Sequence, residues 1–232
     1  MKNDDIKKGK AEEKKEEKKK KLLDASFKLF TKKGIKNTSV QEITDDAGTA
    51  KGTFYLYFKD KYEIQNELII RKSKQLFNNA IKKMEKQNIG NFQDGLIFII
   101  DYVINELNKN RLLLRFISKN LSWALYNEKV SKIVDDNALG IHELFINKVK
   151  EENIKLKNPN VTLYMIIELV SSTCFNSIIN KEPVSIEEYK PYLYDAIRKL
   201  LKEWILYSAF THNKMYIKKI STSYWQVLIK VV

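Results

Sequence analysis

The densest run of side chains able to do chemistry is Lys51, Thr53, Tyr55 and Tyr57, within Ala50-Lys51-Gly52-Thr53-Phe54-Tyr55-Leu56-Tyr57-Phe58. They supply a cation, a hydroxyl and two phenols, all able to donate to phosphate oxygens or base edges. Gly52 lets the start of a helix approach another surface closely. This is the chemistry of recognition rather than of bond making. His142 and His212 are the only histidines, and neither stands at a metal-ligand spacing. The chain has no Gly-x-Ser-x-Gly and no phosphate loop, so neither an enzyme nor a cofactor is expected. Cys174 is the only cysteine, which excludes an intrachain disulfide and favours a reducing compartment.

Helices must position these groups. Leu22, Leu23, Phe27, Leu29 and Phe30 have helical spacing, and Lys32-Lys33-Gly34 is a C-terminal stop. Ser39-Val40-Gln41-Glu42 is a capping box that opens a short helix, ended by Ala47-Gly48. A second short helix, about Ala50–Phe58, follows the tight turn. Asp60-Lys61-Tyr62-Glu63 then caps a long helix to about Asn88. Ile43, Ala47, Phe54 and Phe58 are placed to face the first helix. The other face of the second short helix then presents Lys51, Thr53, Tyr55 and Tyr57. That is the logic of a DNA-binding helix-turn-helix, with helix starts after Ser39 and Ala50 that attract phosphate. No arginine occurs in residues 1–70, so the bidentate arginine–guanine contact is missing. Base readout then falls to Lys51, Gln41 and Thr53, or to DNA shape.

Thr38–Ile64 closely resembles the DNA-binding region of the TetR/AcrR family of bacterial regulators. The resemblance is carried by Ser39, Ile43, Ala47-Gly48, Lys51-Gly52-Thr53, Tyr55-Leu56-Tyr57-Phe58 and Lys61, with Leu22-Leu23-Asp24-Ala25-Ser26, Leu29-Phe30 and Gly34 before them. It covers about residues 20–66. Thr44 stands where alanine is common and Thr49 where valine is common. The family implies an all-α fold, with an N-terminal three-helix DNA-binding domain and a C-terminal helical bundle for ligand binding and dimerisation. It implies that Ser39 and Gln41 start the supporting helix. Lys51, Thr53, Tyr55 and Tyr57 lie on the recognition helix, and Lys61 neutralises a phosphate. It further implies a repressor that binds a palindromic operator as a homodimer and leaves it when a small lipophilic effector binds.

The expected organisation is a charged flexible tail at 1–19, the DNA-binding domain at 20–66, the ligand-binding and dimerisation domain at 67–208, and an extension of undefined structure at 209–232. Phe92–Leu107, Leu112–Tyr126, Lys129–Lys150, Val161–Asn180 and Ser185–Tyr207 read as amphipathic or apolar helices, with breaks at Asn158-Pro159 and Pro183-Val184. Phe98, Tyr102, Phe116, Trp123, Tyr164, Met165 and Phe175 are candidates to line an effector cavity. Each is also a natural core residue. Asp101 and Glu168 are interior acids that would favour a cationic effector. Leu163, Ile167, Val170 and Cys174, together with Leu193, Ile197, Leu200 and Trp204, are the candidate dimer faces.

The net charge of +13 points to a polyanionic partner, but it is spread along the whole chain. Residues 1–19 form a Lys/Glu tract with almost no apolar side chains, read as a solvated tail, a frayed helical extension or a DNA-touching arm. The stretch Val161–Phe175 reads as too short to span a bilayer, and no secretory signal opens the chain, so a soluble cytoplasmic protein without a membrane partner is expected. Two other readings stay open: a ligand-independent dimeric DNA-binding regulator, and a membrane-surface protein using the Lys-rich start and the apolar end.

Overall fold

The computed structural model describes residues 2–118, 121 and 141–211, with side chains over 12–118, 121 and 141–202. Among the described residues there are helices and no strands: α1 (Lys2–Lys33), α2 (Val40–Asp46), α3 (Lys51–Tyr55), α4 (Lys61–Met84), α5 (Phe92–Lys109), α6 (Arg111–Ile117), α7 (Ile141–Glu151), α8 (Pro159–Ile179) and α9 (Ile186–Thr211).

The helix starts sit where side-chain oxygens can take the first free N–H groups. Asp60 accepts from Tyr62 N and Glu63 N at 2.8 and 2.9 Å. Asn91, Asn110 and Asn158 cap α5, α6 and α8 in the same way, and Pro159 takes the first position of α8. Ser185 and Glu188 make the second capping box.

Two cores result. Leu22, Leu23, Phe30, Ile43, Phe54, Phe58, Ile64 and Leu68 close the small N-terminal unit of α1–α3 and the start of α4. Leu76 and Ala80 of α4 belong to the larger core, with α5 through α9. α4 therefore runs through both units, and at about 1.5 Å per residue its 24 residues measure roughly 36 Å. α8 has the length and apolar composition to cross a membrane, contrary to the reading of that stretch as too short. One side of it is nevertheless packed within the chain. Leu163, Ile166, Ile167, Cys174 and Ile178 are buried, and α8 lies against α7, α9 and α5.

The Lys/Glu tract is not separate from the fold. α1 is one continuous helix through it, and Lys19 packs half-buried against Glu67 of α4 at 2.9 Å. Lysine and glutamate are good helix formers, and the apolar half of α1 supplies the nucleus from which the helix propagates. Residues 212–232 and Trp123 lie outside the described residues, as does the side chain of Trp204.

Candidate nucleic-acid interface

α2 is fixed at both ends to α1. Ser39 Oγ accepts from Glu42 N at 3.2 Å and the Glu42 carboxylate accepts from Ser39 N at 2.9 Å, which completes the capping box. Glu42 also pairs with Lys33 of α1. The Lys33 ammonium first, and the Ser39 donors after it, hold the Glu42 carboxyl down at about 2. At the other end Lys28 Nζ reaches Asp46 Oδ1 at 2.5 Å.

The turn follows at Gly48, whose φ of +63° lies in the left-handed region that glycine enters without strain. Thr49 N then returns to Thr44 O at 2.9 Å, and Thr53 N to Ala50 O at 2.8 Å. The two threonines that depart from the family pattern behave differently. Buried Thr44 gives its hydroxyl to Gln41 O at 2.9 Å, whereas Thr49 Oγ1 is buried with no partner. An unsatisfied buried hydroxyl costs about 1–3 kcal/mol. Thr49→Val is therefore expected to raise stability by roughly 0.5–1.5 kcal/mol in urea titrations, and an unchanged or lower midpoint would contradict the geometry.

Phe54 of α3 is fully buried, which turns the rest of the helix outward. Lys51 and Gly52 are exposed, Thr53 is half-buried, and Tyr55 is 53% exposed. A Cβ added at Gly52 would meet nothing within 4 Å, so the protein's own packing does not require glycine there. Gln41, on the exposed side of α2, donates to Asp45 Oδ1 at 2.8 Å.

Besides Gln41, three of the expected contact residues are engaged within the chain. Ser39 is taken up as the α2 cap. Tyr57 turns its hydroxyl back to donate to Lys15 O of α1 at 3.0 Å. Lys61 Nζ donates to Lys36 O and Thr38 O at 3.1 and 3.0 Å, so it ties the start of α4 to the loop before α2. The sequence reading missed Leu56, an apolar side chain 80% exposed just past α3. Its signal was available: it stands two residues from buried Phe54, a spacing that cannot share a helical face. A short helix carrying a cation, a hydroxyl, a phenol and a bare apolar group fits a DNA major groove about 12 Å wide, where leucine can meet a thymine methyl.

In the C-terminal bundle the described cavities and the expected effector residues lie in different places. A cavity of about 450 Å³ lies between the end of α4, the start of α5 and α7, lined by Ile81, Met84, Phe92, Leu96, Ile99, Ile141, Leu144 and Phe145, with Gln87, Asn91, Lys148 and Glu152 at its rim. None of Phe98, Tyr102, Phe116, Tyr164, Met165, Glu168 or Phe175 lines it, nor a second cavity of about 20 Å³ beside Cys174. Tyr164 and Met165 are nearly half exposed on α8. Phe116 sits where the cores meet, with its ring 5.2 Å from that of Phe27.

The expected dimer faces require correction. Leu163, Ile167, Leu193 and Ile197 are 2%, 7%, 1% and 0% exposed, because α8 and α9 turn these stripes toward each other and α5. Val170 and Leu200 pack on the same core, and burial of Cys174 pushes its thiol up to about 12. Among the described side chains of these two helices, the large apolar ones left outside are Val161, Tyr164 and Met165 on α8 and Tyr192 on α9. Asp101 is likewise not waiting for a cationic ligand. Lys190 of α9 pairs with it at 3.1 Å and Tyr194 donates to it at 2.6 Å, while burial and that carboxylate push the Tyr194 phenol upward. His142 meets Asn160 Oδ1 at 2.7 Å and joins α7 to α8.

Comparison with known proteins agrees with this architecture. Residues 22–68 match the sequence model of the bacterial regulatory proteins of the tetR family. The uncharacterized HTH-type transcriptional regulator YvdT of Bacillus subtilis (strain 168) is 27% identical over 195 residues, covering 78% of this chain and 93% of that protein. Among solved structures, a TetR family transcription regulator from Marinobacter aquaeolei VT8 superposes with a TM-score of 0.57 at 15% identity, over 82% of this chain and 97% of that one. The transcriptional regulator FadR from Bacillus subtilis, solved in complex with stearoyl-CoA, does so with a TM-score of 0.53 at 17% identity, over 78% and 97%.

Proposed function

This chain belongs to the TetR family of bacterial regulatory proteins and is a transcriptional regulator, and from that premise we propose that it is a cytoplasmic repressor that binds a palindromic operator as a homodimer and releases it on binding a lipophilic effector. The observation that carries the DNA reading is the outward face of α3: Lys51, Gly52, Tyr55 and Leu56 are presented by a helix whose other side is anchored through fully buried Phe54. Lys51 and Thr53 read base edges, Tyr55 reaches phosphate, and Gln41 supports from α2. Lys61 and Ser39 hold the two helices in place, and Lys61 keeps its charge near the backbone. Two-fold symmetry of the protein would match the inverted repeat of the operator.

Selection of bound duplexes from a randomised library tests this reading. An enriched inverted repeat supports it, whereas a lone half-site or no enrichment overturns it. Gly52→Ala gives a second test. Alanine in a helix is favoured over glycine by about 0.5–1 kcal/mol, and the space at Gly52 is open. The variant is expected to melt no lower than the parent and to lose at least about tenfold in operator affinity, because the added methyl keeps the helix from the groove floor. Unchanged affinity would remove Gly52 from the interface.

For the effector, the apolar cavity bounded by α4, α5 and α7 is the site we favour over the residues expected from sequence. Met84 in its wall is adaptable, and the rim amides and Lys148 offer polar anchors. The long acyl chain named with FadR sets the first class to test. A coupling of about 1–3 kcal/mol would lower operator affinity roughly 5–150-fold, and operator DNA must weaken the effector by the same factor. Acyl-CoAs and other lipophilic compounds screened by thermal shift, then titrated with and without operator, test both statements.

A further inference from the structure

The core-forming apolar residues of α1 begin at Leu22, yet the helix starts at Lys2. Over residues 12–19 the helical turn of about 100° per residue sorts its charges. Lys14, Lys15, Lys18 and Lys19 fall on one side, and Glu12, Glu13, Glu16 and Glu17 on the other. A helix that serves only for solubility gains nothing from this segregation, since its stabilising pairs alternate sign around the surface. The basic side is the one turned to the DNA-binding unit. Lys19 pairs with Glu67 at 2.9 Å and stands 5.7 Å above the Phe58 ring. Tyr57, two residues past Tyr55, donates to the Lys15 carbonyl at 3.0 Å. These two anchors fix the direction of the extension relative to α3, and Lys14, Lys15 and Lys18 remain exposed beside them.

We propose that the basic side of the N-terminal half of α1 lies along the phosphate backbone of duplex DNA flanking the half-site that α3 reads. The proposal rests on the DNA-binding reading above. Duplex DNA is favoured over other polyanions because the extension is fastened to the recognition segment itself, so any surface that α3 enters is brought to these lysines too. The acids face away from the phosphates, and the preformed helix spares the ordering cost of a flexible arm.

The test compares the full chain with a variant in which the sides are exchanged: Glu12→Lys, Glu13→Lys and Glu16→Lys with Lys14→Glu, Lys15→Glu and Lys18→Glu. Composition, net charge, Lys19 and the Lys15 carbonyl are all retained, and helicity is checked by circular dichroism. The probe is the duplex selected by the full chain, used once trimmed to its recognised bases and once with about ten extra base pairs on each side, one helical turn. The full chain is expected to bind the long duplex more tightly and with the steeper salt dependence. The exchanged variant is expected to bind both lengths alike. Its salt slope on the long duplex should fall by about two to three units per subunit, near one per lost phosphate contact. Its affinity for the short duplex should stay that of the parent. A variant that keeps the preference for the long duplex and its slope overturns the proposal. So does a full chain that is indifferent to duplex length but binds phosphatidylserine–phosphatidylcholine vesicles through this side. A full chain that selects no duplex at all fails earlier, at the DNA-binding reading itself.

Discussion

Ile197→Glu is expected to unfold the C-terminal bundle, while Met165→Glu leaves it folded and separates the subunits. Ile197 is completely buried on α9, in the core formed with α5 and α8. A glutamate there has no cation arranged for it, and an unpaired buried charge costs well over the roughly 4 kcal/mol that marks an exceptional substitution. A domain with about 5–15 kcal/mol in hand does not survive that with its packing intact. Met165 is 47% exposed on the opposite side of α8, in line with Val161 and Tyr164. Charge there costs the monomer about 0.5 kcal/mol or less. It does remove an apolar contact from the exposed side of α8, where we propose that the subunits of the homodimer meet. Tyr192, 73% exposed on α9, is the same kind of site. Melting curves with light scattering separate the two effects. A Met165→Glu protein that stays dimeric at micromolar concentration would place the interface elsewhere. A folded monomer from Ile197→Glu would restore the stripe that the sequence suggested.

That reversal shows where sequence reasoning stops. The helix-turn-helix was legible because its determinants are local. The Ser39–Glu42 capping box, Gly48 with positive φ and the buried spacing of Ile43, Phe54 and Phe58 all act within a few residues. α8 is apolar on all sides, so its pattern says that it is buried somewhere and cannot say which side meets its own chain. Asp101 read as an interior acid suited to a cationic effector because its partners, Lys190 and Tyr194, lie on a helix far along the chain. Tyr57 and Lys61 have the side chains of contact residues, yet both find backbone carbonyls of neighbouring elements. Recognition chemistry and scaffold chemistry use the same donors, and only the fold decides between them. Of the readings open for the Lys/Glu tract, the helical extension is the one that the structure describes. Its composition predicts no core, but a helix begun by Leu22, Leu23 and Phe30 carries it along.

Phe116→Ala is expected to lower the melting temperature by about 4–16 °C and to split one unfolding transition into two. Among the described residues Phe116 packs against all three apolar clusters. From α6 it meets Phe27 of α1 edge-on, with ring planes at 87°, and it lies on Ile69 and Ile70 of α4, both fully buried. Edge-on aromatic contact adds about 0.5–1.5 kcal/mol to the area term. Truncating a buried phenylalanine costs about 3–5 kcal/mol, and Phe116, only partly buried, stands below that at about 2–4 kcal/mol. In a chain of this length each kilocalorie moves the midpoint by about 2–4 °C. The location of the loss matters as much as its size. Apart from α4, which runs through both cores, α6 against α1 is the main packing among the described residues that joins the DNA-binding unit to the bundle. A void at that junction leaves each core intact and weakens only their joint. Scanning calorimetry on the parent, Phe116→Leu and Phe116→Ala checks this, with leucine expected to keep a single transition. The same variant also bears on regulation. If an effector in the α4–α5–α7 cavity acts on DNA through this joint, Phe116→Ala should bind the effector and yet release operator less than the parent does. A single transition moved by under 2 °C, or full release with the joint emptied, would mean that α4 alone carries the coupling.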